Sequence, residues 1–208
     1  MRDTAEMPFS MPLAQALAGR RSVRNFRPDG LTRGQVRSLL LAAVQAPTAM
    51  HQESWAFVVV QDRKVLDRIS NRAKPLFVEA LKRLHVDGHG QKHAPDVFAD
   101  PDFSIFYNAG TLIVVCGPRE APFITADCWL AAANIVLAAY AAGLGSCVIG
   151  SAVPALEMDD IRSQLGIPAT HVAVAPIIVG VPAGPCETSA RAEPRILHWC
   201  HDGDPEPA

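Results

Sequence analysis

Residues 20–29 read RRSVRNFRPD and set Arg20, Arg21, Arg24 and Arg27 within one short stretch of a 208-residue chain whose formal net charge is only −2. Guanidinium groups offer forked donors that match phosphate oxygens, and Ser22 adds a hydroxyl among them. The stretch therefore reads either as an anion site or as a basic turn facing water. Other reactive residue types are scattered. Cys116, Cys128, Cys147, Cys186 and Cys200 are odd in number and contain no C-x-x-C pair. Reduced thiols are expected rather than a disulfide framework or a zinc site, and Cys147 reads as a small buried hydrophobe. His85, His89 and His93 recur at four-residue spacing, which one continuous helix would align as metal ligands. Gly88 and Gly90 interrupt such a helix, so a solvated segment is expected and no metal. No catalytic dyad or triad stands out.

The glycines of GLGSCVIG, residues 143–150, invite a dinucleotide reading, which fails on mechanism. That fingerprint needs strand, turn and then helix, because the pyrophosphate rests on the helix N-terminus. Here a helix comes first and a strand follows. Gly143 and Gly145 are expected to end the helix. Gly150, at the end of a buried strand, marks close approach of a ligand or another backbone.

These residues need a frame to hold them. With 49% hydrophobic and 19% charged residues, the chain fits one globular domain over residues 1–208 with a sizeable core. A pI of about 6.4 leaves no basic footprint for a nucleic-acid partner. The opening MRDTAEMPFSMPL carries acids and prolines where a signal peptide would be apolar, so a cytoplasmic location is expected.

From Cys128 to Leu156 the chain bears no charge, which by length alone would span a bilayer. Thr125 and Asp127 suit a helix start, Asn134 is polar, and the stretch is built from Ala rather than Leu. A helix buried at a domain centre or subunit interface is expected, not a membrane span.

Thr32 and Gln35 form a capping-box pattern ahead of Val36, Leu39, Leu40 and Ala43, and that helix should stop before Pro47. Further helices are expected at 11–18, 63–72, 75–85 and 155–165, and strands at 55–61, 111–116, 146–150 and 171–181. Residues 86–104, with Gly88, Gly90, Pro95 and Pro101, read as a variable surface segment, and 201–208 as a tail.

The order RRSVRNF, APTAMHQESWAFVVV, FYNAGTLIVVC, the Ala-rich helix running into GLGSCVIG, and finally RAEPRILHW resembles the nitroreductase family of flavoproteins over most of residues 11–200. The resemblance implies an α+β fold, with a central, mostly antiparallel sheet flanked by helices. It also implies an intertwined homodimer with FMN at the interface. Carried over position by position, it assigns Arg20 and Ser22 to the FMN phosphate and ribityl chain, with Arg21 alongside. Arg24 would lie at the flavin N1 and O2 edge. Arg191 would be a second phosphate-binding residue, with Arg195 a nearby rival. Pro47, Thr48, Ala49 and His51 would reach the flavin of the other subunit, and Val148, Ile149 and Gly150 would run along the isoalloxazine. The segment near 86–104 would stand by the flavin mouth.

The implied activity is FMN-dependent reduction of flat electrophiles such as quinones and nitroaromatics, by ping-pong hydride transfer from NADH or NADPH. The chain departs from the pattern at His51, where Asn is usual, and at Glu53-Ser54, where Gln-Pro is usual. These changes bear on substrate choice. They leave two other readings open: a flavin-binding or sensing protein without turnover, and a specialised flavin oxidoreductase for one metabolite.

Overall fold

The computed structural model describes residues 9–83, 94–186 and 190–200. Four strands, β1 (Ala56–Val60), β2 (Thr111–Pro118), β3 (Gly145–Val148) and β4 (His171–Gly180), form one antiparallel sheet in the order β1-β2-β4-β3. The helices are α1 (Leu13–Gly19), α2 (Arg33–Ala43), α3 (Arg63–Arg83), α4 (Ala94–Ala99), α5 (Ile124–Ala141), α6 (Val153–Leu156) and α7 (Asp159–Leu165). The four β-branched runs expected as strands are all present, and sheet and helices make the α+β architecture expected.

Both faces of the sheet are covered, which is why β2 reads as an unbroken apolar run rather than an alternating one. Leu112, Val114 and Cys116 face a core closed by α3, α6 and α7 through Leu66, Ile69, Leu156 and Ile161. Ile113 and Val115 face the opposite core, closed by α2 and α5 through Leu39, Ala43, Ala131 and Ile135. The register slips at Val115/Cys116, which pair with Ala175 and Ala173, so Val174 is the extra residue of a bulge. Pro176, two residues on, sits in a central strand beside that irregularity, where a missing N–H is tolerated.

Several boundaries differ from expectation, each for a local reason. The stretch expected as helices 63–72 and 75–85 is one helix, α3, running through Pro75. Its stripe of Leu66, Ile69 and Ala73 stays on the core across the proline, and buried Lys74 donates to the carbonyls of Asp100 (3.0 Å), Pro101 (3.2 Å) and Phe103 (2.9 Å). That anchorage ties the end of the segment expected at 86–104 to α3, while its residues 97 and 99–102 are exposed. Phe98 packs at a tilt against Phe77 at 4.7 Å and edge-on against Phe103 at 5.4 Å, and just beyond the segment Ile105 and Phe106 are buried. His85, His89 and His93 lie outside the described residues. The expected helix 155–165 breaks in two because Met158 is extended (φ −72°, ψ 136°).

Helix α5, uncharged from Cys128 onward, ends as expected at Gly143, whose φ of 73° lets the Leu144 N–H reach back to the Ala139 carbonyl at 2.8 Å. Gly145 does not serve that end. It opens β3, where a Cβ would stand 2.7 Å from Val23 Cγ2. The helix starts at Ile124 without a side-chain cap, and Asp127 serves elsewhere. Although α5 is long and apolar enough to cross a bilayer, it is a sheet-packing helix held by polar ties. Asn134 Nδ2 donates to the Ala42 carbonyl at 3.0 Å, and buried Asp127 accepts from the Ala49 N–H at 3.1 Å.

Candidate functional site

The arginine stretch is stitched to the free edge of β3. Ser22 pairs with Ser146 in a parallel bridge, the Val23 N–H donates to the Ser146 carbonyl at 3.0 Å, and the Arg27 N–H donates to the Val181 carbonyl at 2.9 Å. Val23 and Phe26 are buried while Ser22 and Arg24 are exposed, so the stretch is anchored through its apolar residues and presents its polar ones. Glycines make the fit possible. The absent side chain of Gly145 leaves room for Val23, and Gly180 leaves room for Phe26, whose ring a Cβ would approach to 3.1 Å.

Arg20, Ser22 and Arg24 converge on one neighbourhood, since all three act on the Cys147 thiol of β3. Burial pushes that thiol up, while the Arg24 charge, the Ser22 hydroxyl and the Arg20 charge pull it back. Arg21 faces the other way. Its Nη1 donates to the carbonyls of Ala18 (2.7 Å) and Arg20 (2.8 Å), its buried Nε has no partner, and it lines a cleft of about 430 Å³ with Met11, Val23 and Tyr140. Sequence reasoning grouped the four residues; the backbone alternation separates them.

Val148, the last residue of β3, and buried Ile149 lead into a 3₁₀ turn, Gly150–Ala152. Ile149 is tied to the sheet by its N–H on the Pro176 carbonyl at 2.8 Å. Gly150 lies outside the strand it was expected to end, and a Cβ there would meet nothing within 4 Å. Among the described residues no contact requires glycine at this position.

Pro47, Thr48, Ala49 and His51 lie on a loop before β1 whose residues Ala49–His51 form a 3₁₀ turn. Met50 (φ 54°), His51 (φ 57°) and Glu53 (φ 45°) are all left-handed without being glycine, a concentration of backbone strain. The loop is held by the Ala49 bond to Asp127 and by the Glu53 N–H donating to Thr48 Oγ1 at 3.3 Å, and it leaves His51 and Glu53 exposed.

Within one chain this loop is far from the arginines. Helix α5 measures the gap, since Asp127 holds Ala49 near one end and Tyr140 abuts Gly19 near the other, a rise of roughly 20 Å. Arg191 and Arg195 are exposed on the irregular segment 190–200, with no bond to the rest of the described chain. One chain thus unites Arg20, Ser22, Arg24 and residues 148–150, and leaves the loop and Arg191 apart.

Three contributors were not singled out as site residues from sequence. Tyr107 ties its turn to the arginine stretch by accepting from the Phe26 N–H at 3.3 Å, Asp127 pins the loop, and Tyr140 backs Gly19. Asp127 stood out as the one acid in an apolar helix; the two tyrosines carry no sequence signal. Among the described residues no group of His, Cys, Asp or Glu is placed to hold a metal ion.

Comparison with known proteins gives a consistent result. The Nitroreductase family model matches residues 17–181. A protein of Archaeoglobus fulgidus with the provisional name NADH dehydrogenase/NAD(P)H nitroreductase is 29% identical over 168 residues, 78% of this chain and 81% of its own. An iodotyrosine deiodinase of Thermotoga neapolitana is 26% identical over 130 residues, 61% of this chain and 67% of its own. The crystal structure of a nitroreductase with bound FMN from Bacteroides fragilis shares the fold, with a TM-score of 0.75 at 23% identity over 92% of this chain and 100% of that one.

Proposed function

The chain belongs to the nitroreductase family, and from that premise we propose that it is an FMN-dependent oxidoreductase. It would take hydride from NADH or NADPH and reduce flat electrophiles such as quinones and nitroaromatics. The observation that carries this reading is the convergence of Arg20, Ser22 and Arg24 on the β3 edge, leading to a glycine, Gly150, that no contact among the described residues explains.

These residues fit the cofactor. Arg20 and Ser22 supply charge-assisted and hydroxyl donors for a phosphate and polyol, and Arg24 supplies a cation farther along the same face. The open space over Gly150 suits a flat ring lying against backbone. When bound, FMN supplies the hydride chemistry, which is why no dyad or triad is needed. The protein's part is to orient the ring, to set its potential through Arg24, and to admit donor and acceptor in turn to one face.

We place the loop with Pro47, Thr48, Ala49 and His51 over the cofactor of a partner subunit, because its own chain holds it roughly 20 Å away along α5. Arg191 would likewise complete the phosphate site through the C-terminal segment in the dimer. The exposed His51 and Glu53, together with the similarity to a protein named as a deiodinase, favour a second reading in which one specialised acceptor is used.

The test is a visible spectrum of the purified protein with chemical identification of the released flavin, followed by anaerobic mixing with NADH and NADPH. The proposal expects a yellow protein with about one FMN per subunit, bleached rapidly by at least one nicotinamide. A protein that takes up no FMN would overturn it, and an FMN reduced by dithionite alone would reduce it to a binding module. A panel of quinones, nitroaromatics and halogenated phenols separates a broad reductase from a specialised one.

A further inference from the structure

The cleft beside the end of α1 holds a guanidinium edge that nothing among the described residues uses. Arg21 Nη1 donates to the carbonyls of Ala18 at 2.7 Å and Arg20 at 2.8 Å, which satisfies the open end of the helix. Those two bonds fix the plane of the group. Its Nε is buried without a partner, and its Nη2 makes no bond among the described residues. Two carbonyls explain a cation here, and a lysine would serve them as well. They do not explain a planar fork whose side-on edge is left open. A buried donor without an acceptor is costly, so that edge calls for one.

The walls of the cleft suit a small molecule. Its volume of about 430 Å³ lies within the range of ligand pockets, about 300–1,000 Å³. Met11, Val23, Leu144 and Pro182 give it an apolar lining. Tyr140 and Ser146 add two hydroxyls that form no hydrogen bond among the described residues. Gly19 makes room for the phenol, since a Cβ there would stand 2.6 Å from Tyr140 Cζ. An apolar cleft with one fixed cation and two free hydroxyls has the make-up of a binding site, in which a few polar groups orient an apolar ligand.

We propose that this cleft binds a small monocarboxylate with an apolar body, its two oxygens on Arg21 Nε and Nη2 and its body against Leu144 and Pro182. Two coplanar carboxylate oxygens match the side-on edge of a guanidinium, and one positive charge neutralises them. A phosphate dianion would call for a second cation, and Arg21 is the one cation among the described residues that line the cleft. Arg20, Ser22, Arg24 and Gly150 are not among those residues, so the site is separate from the proposed flavin face and does not depend on FMN.

Cys186 is exposed and lines the same cleft, which makes it a reporter. In the full-length protein as purified, benzoate and hexanoate should slow alkylation of Cys186 by iodoacetamide in a saturable way. Cys200, followed by peptide mass spectrometry in the same sample, should keep its rate. Benzamide and inorganic phosphate should give little protection. Arg21→Lys keeps a cation at the end of α1 but loses the fork. It should raise the benzoate concentration for half protection at least tenfold, the loss expected for a hydrogen bond between charged groups. Tyr140→Phe should raise it roughly threefold. Circular dichroism checks that each variant is folded, and Tyr140→Phe decides alone if Arg21→Lys is not. No protection by either carboxylate, equal protection by benzamide, or an unchanged half-protection concentration in the deciding variant would overturn the site. Phosphate protecting as well as benzoate would overturn its carboxylate class. A Cys186 that reacts only after denaturant is added would mean that another part of the assembly fills the cleft, and would overturn the proposal as well.

Discussion

At the scale of single residues, the thiols make the simplest claim. Burial pushes Cys116 up to about 11 and Cys128 up to about 12, and raises Cys147 as well, whereas Cys186 and Cys200 are exposed. The thiolate is the reactive form. Brief alkylation at mildly alkaline pH should therefore mark Cys186 and Cys200, and the other three only after denaturant is added, as peptide mass spectrometry would reveal. Labelling of Cys147 in native protein would mean that the β3 edge opens. The residues proposed to face the FMN phosphate give a second prediction at this scale. A charge-assisted bond is worth about 1.5–3 kcal/mol, so Arg20→Ala should weaken FMN binding at least tenfold, whereas Arg24→Met should change the potential more than the affinity. Equal flavin titrations for wild type and Arg20→Ala would remove Arg20 from the site. Arg20, Ser22 and Arg24 were legible because arginine clustering in a near-neutral chain is conspicuous. Arg21 was misgrouped, because the alternation that turns it to the other side comes from pairing with Ser146, which adjacency in sequence does not reveal.

Elements were legible where one strong rule governed them. The β-branched runs became strands, and the Thr32–Gln35 capping box formed as read, with the Gln35 N–H on Thr32 Oγ1 at 3.2 Å. Pro75 misled, because a missing N–H is weaker than a buried stripe plus the Lys74 anchor. Close approach of backbones also went unread, and it supports a prediction. A Cβ on Gly110 would lie 2.5 Å from the Pro28 carbonyl oxygen and 2.6 Å from the backbone of Asp29 and Gly30. Backbone cannot swing aside as a side chain can, so Gly110→Ala should destabilise the fold by about 1–3 kcal/mol or more. Gly150→Ala, which meets open space, should leave thermal stability nearly unchanged and weaken flavin binding instead. Chemical denaturation of both variants checks the contrast. Across the α3–α7 contact, Asp160 accepts from Arg68 and Arg72, each at 2.8 Å, and these bonds, Arg72 first, hold its carboxyl below the usual range. A carboxylate lowered by folding adds stability above its ordinary value near about 3.9, and that contribution disappears as pH falls through the folded value. Asp160→Asn should thus lower the melting temperature slightly at neutral pH, less at high salt, and converge with wild type in strong acid.

At the scale of the whole molecule, the apolar surface and the divided site ask for the same answer. Trp129 on α5 is 44% exposed, and on the C-terminal segment Leu197 and Trp199 are 85% and 71% exposed, more large apolar surface than a lone chain has reason to show. The uncharged run from Cys128 through α5 announced burial on every side, but only the structure separates the side that meets the sheet from the side left over. In the proposed dimer each site takes its arginines from one subunit and its loop from the other, which predicts complementation. A subunit carrying Arg20→Ala and a subunit carrying a bulky loop substitution such as Ala49→Phe should each form homodimers with two damaged sites. In a mixed dimer, one site receives both defects and the other receives neither. Co-expression with two affinity tags should therefore yield a heterodimer that holds about half the wild-type FMN and turns over at about half the wild-type rate, although both homodimers are nearly colourless. If arginines and loop served the same site within one chain, every site in the heterodimer would carry one defect and no activity would return. A colourless, inactive heterodimer of normal stability would reject the shared site.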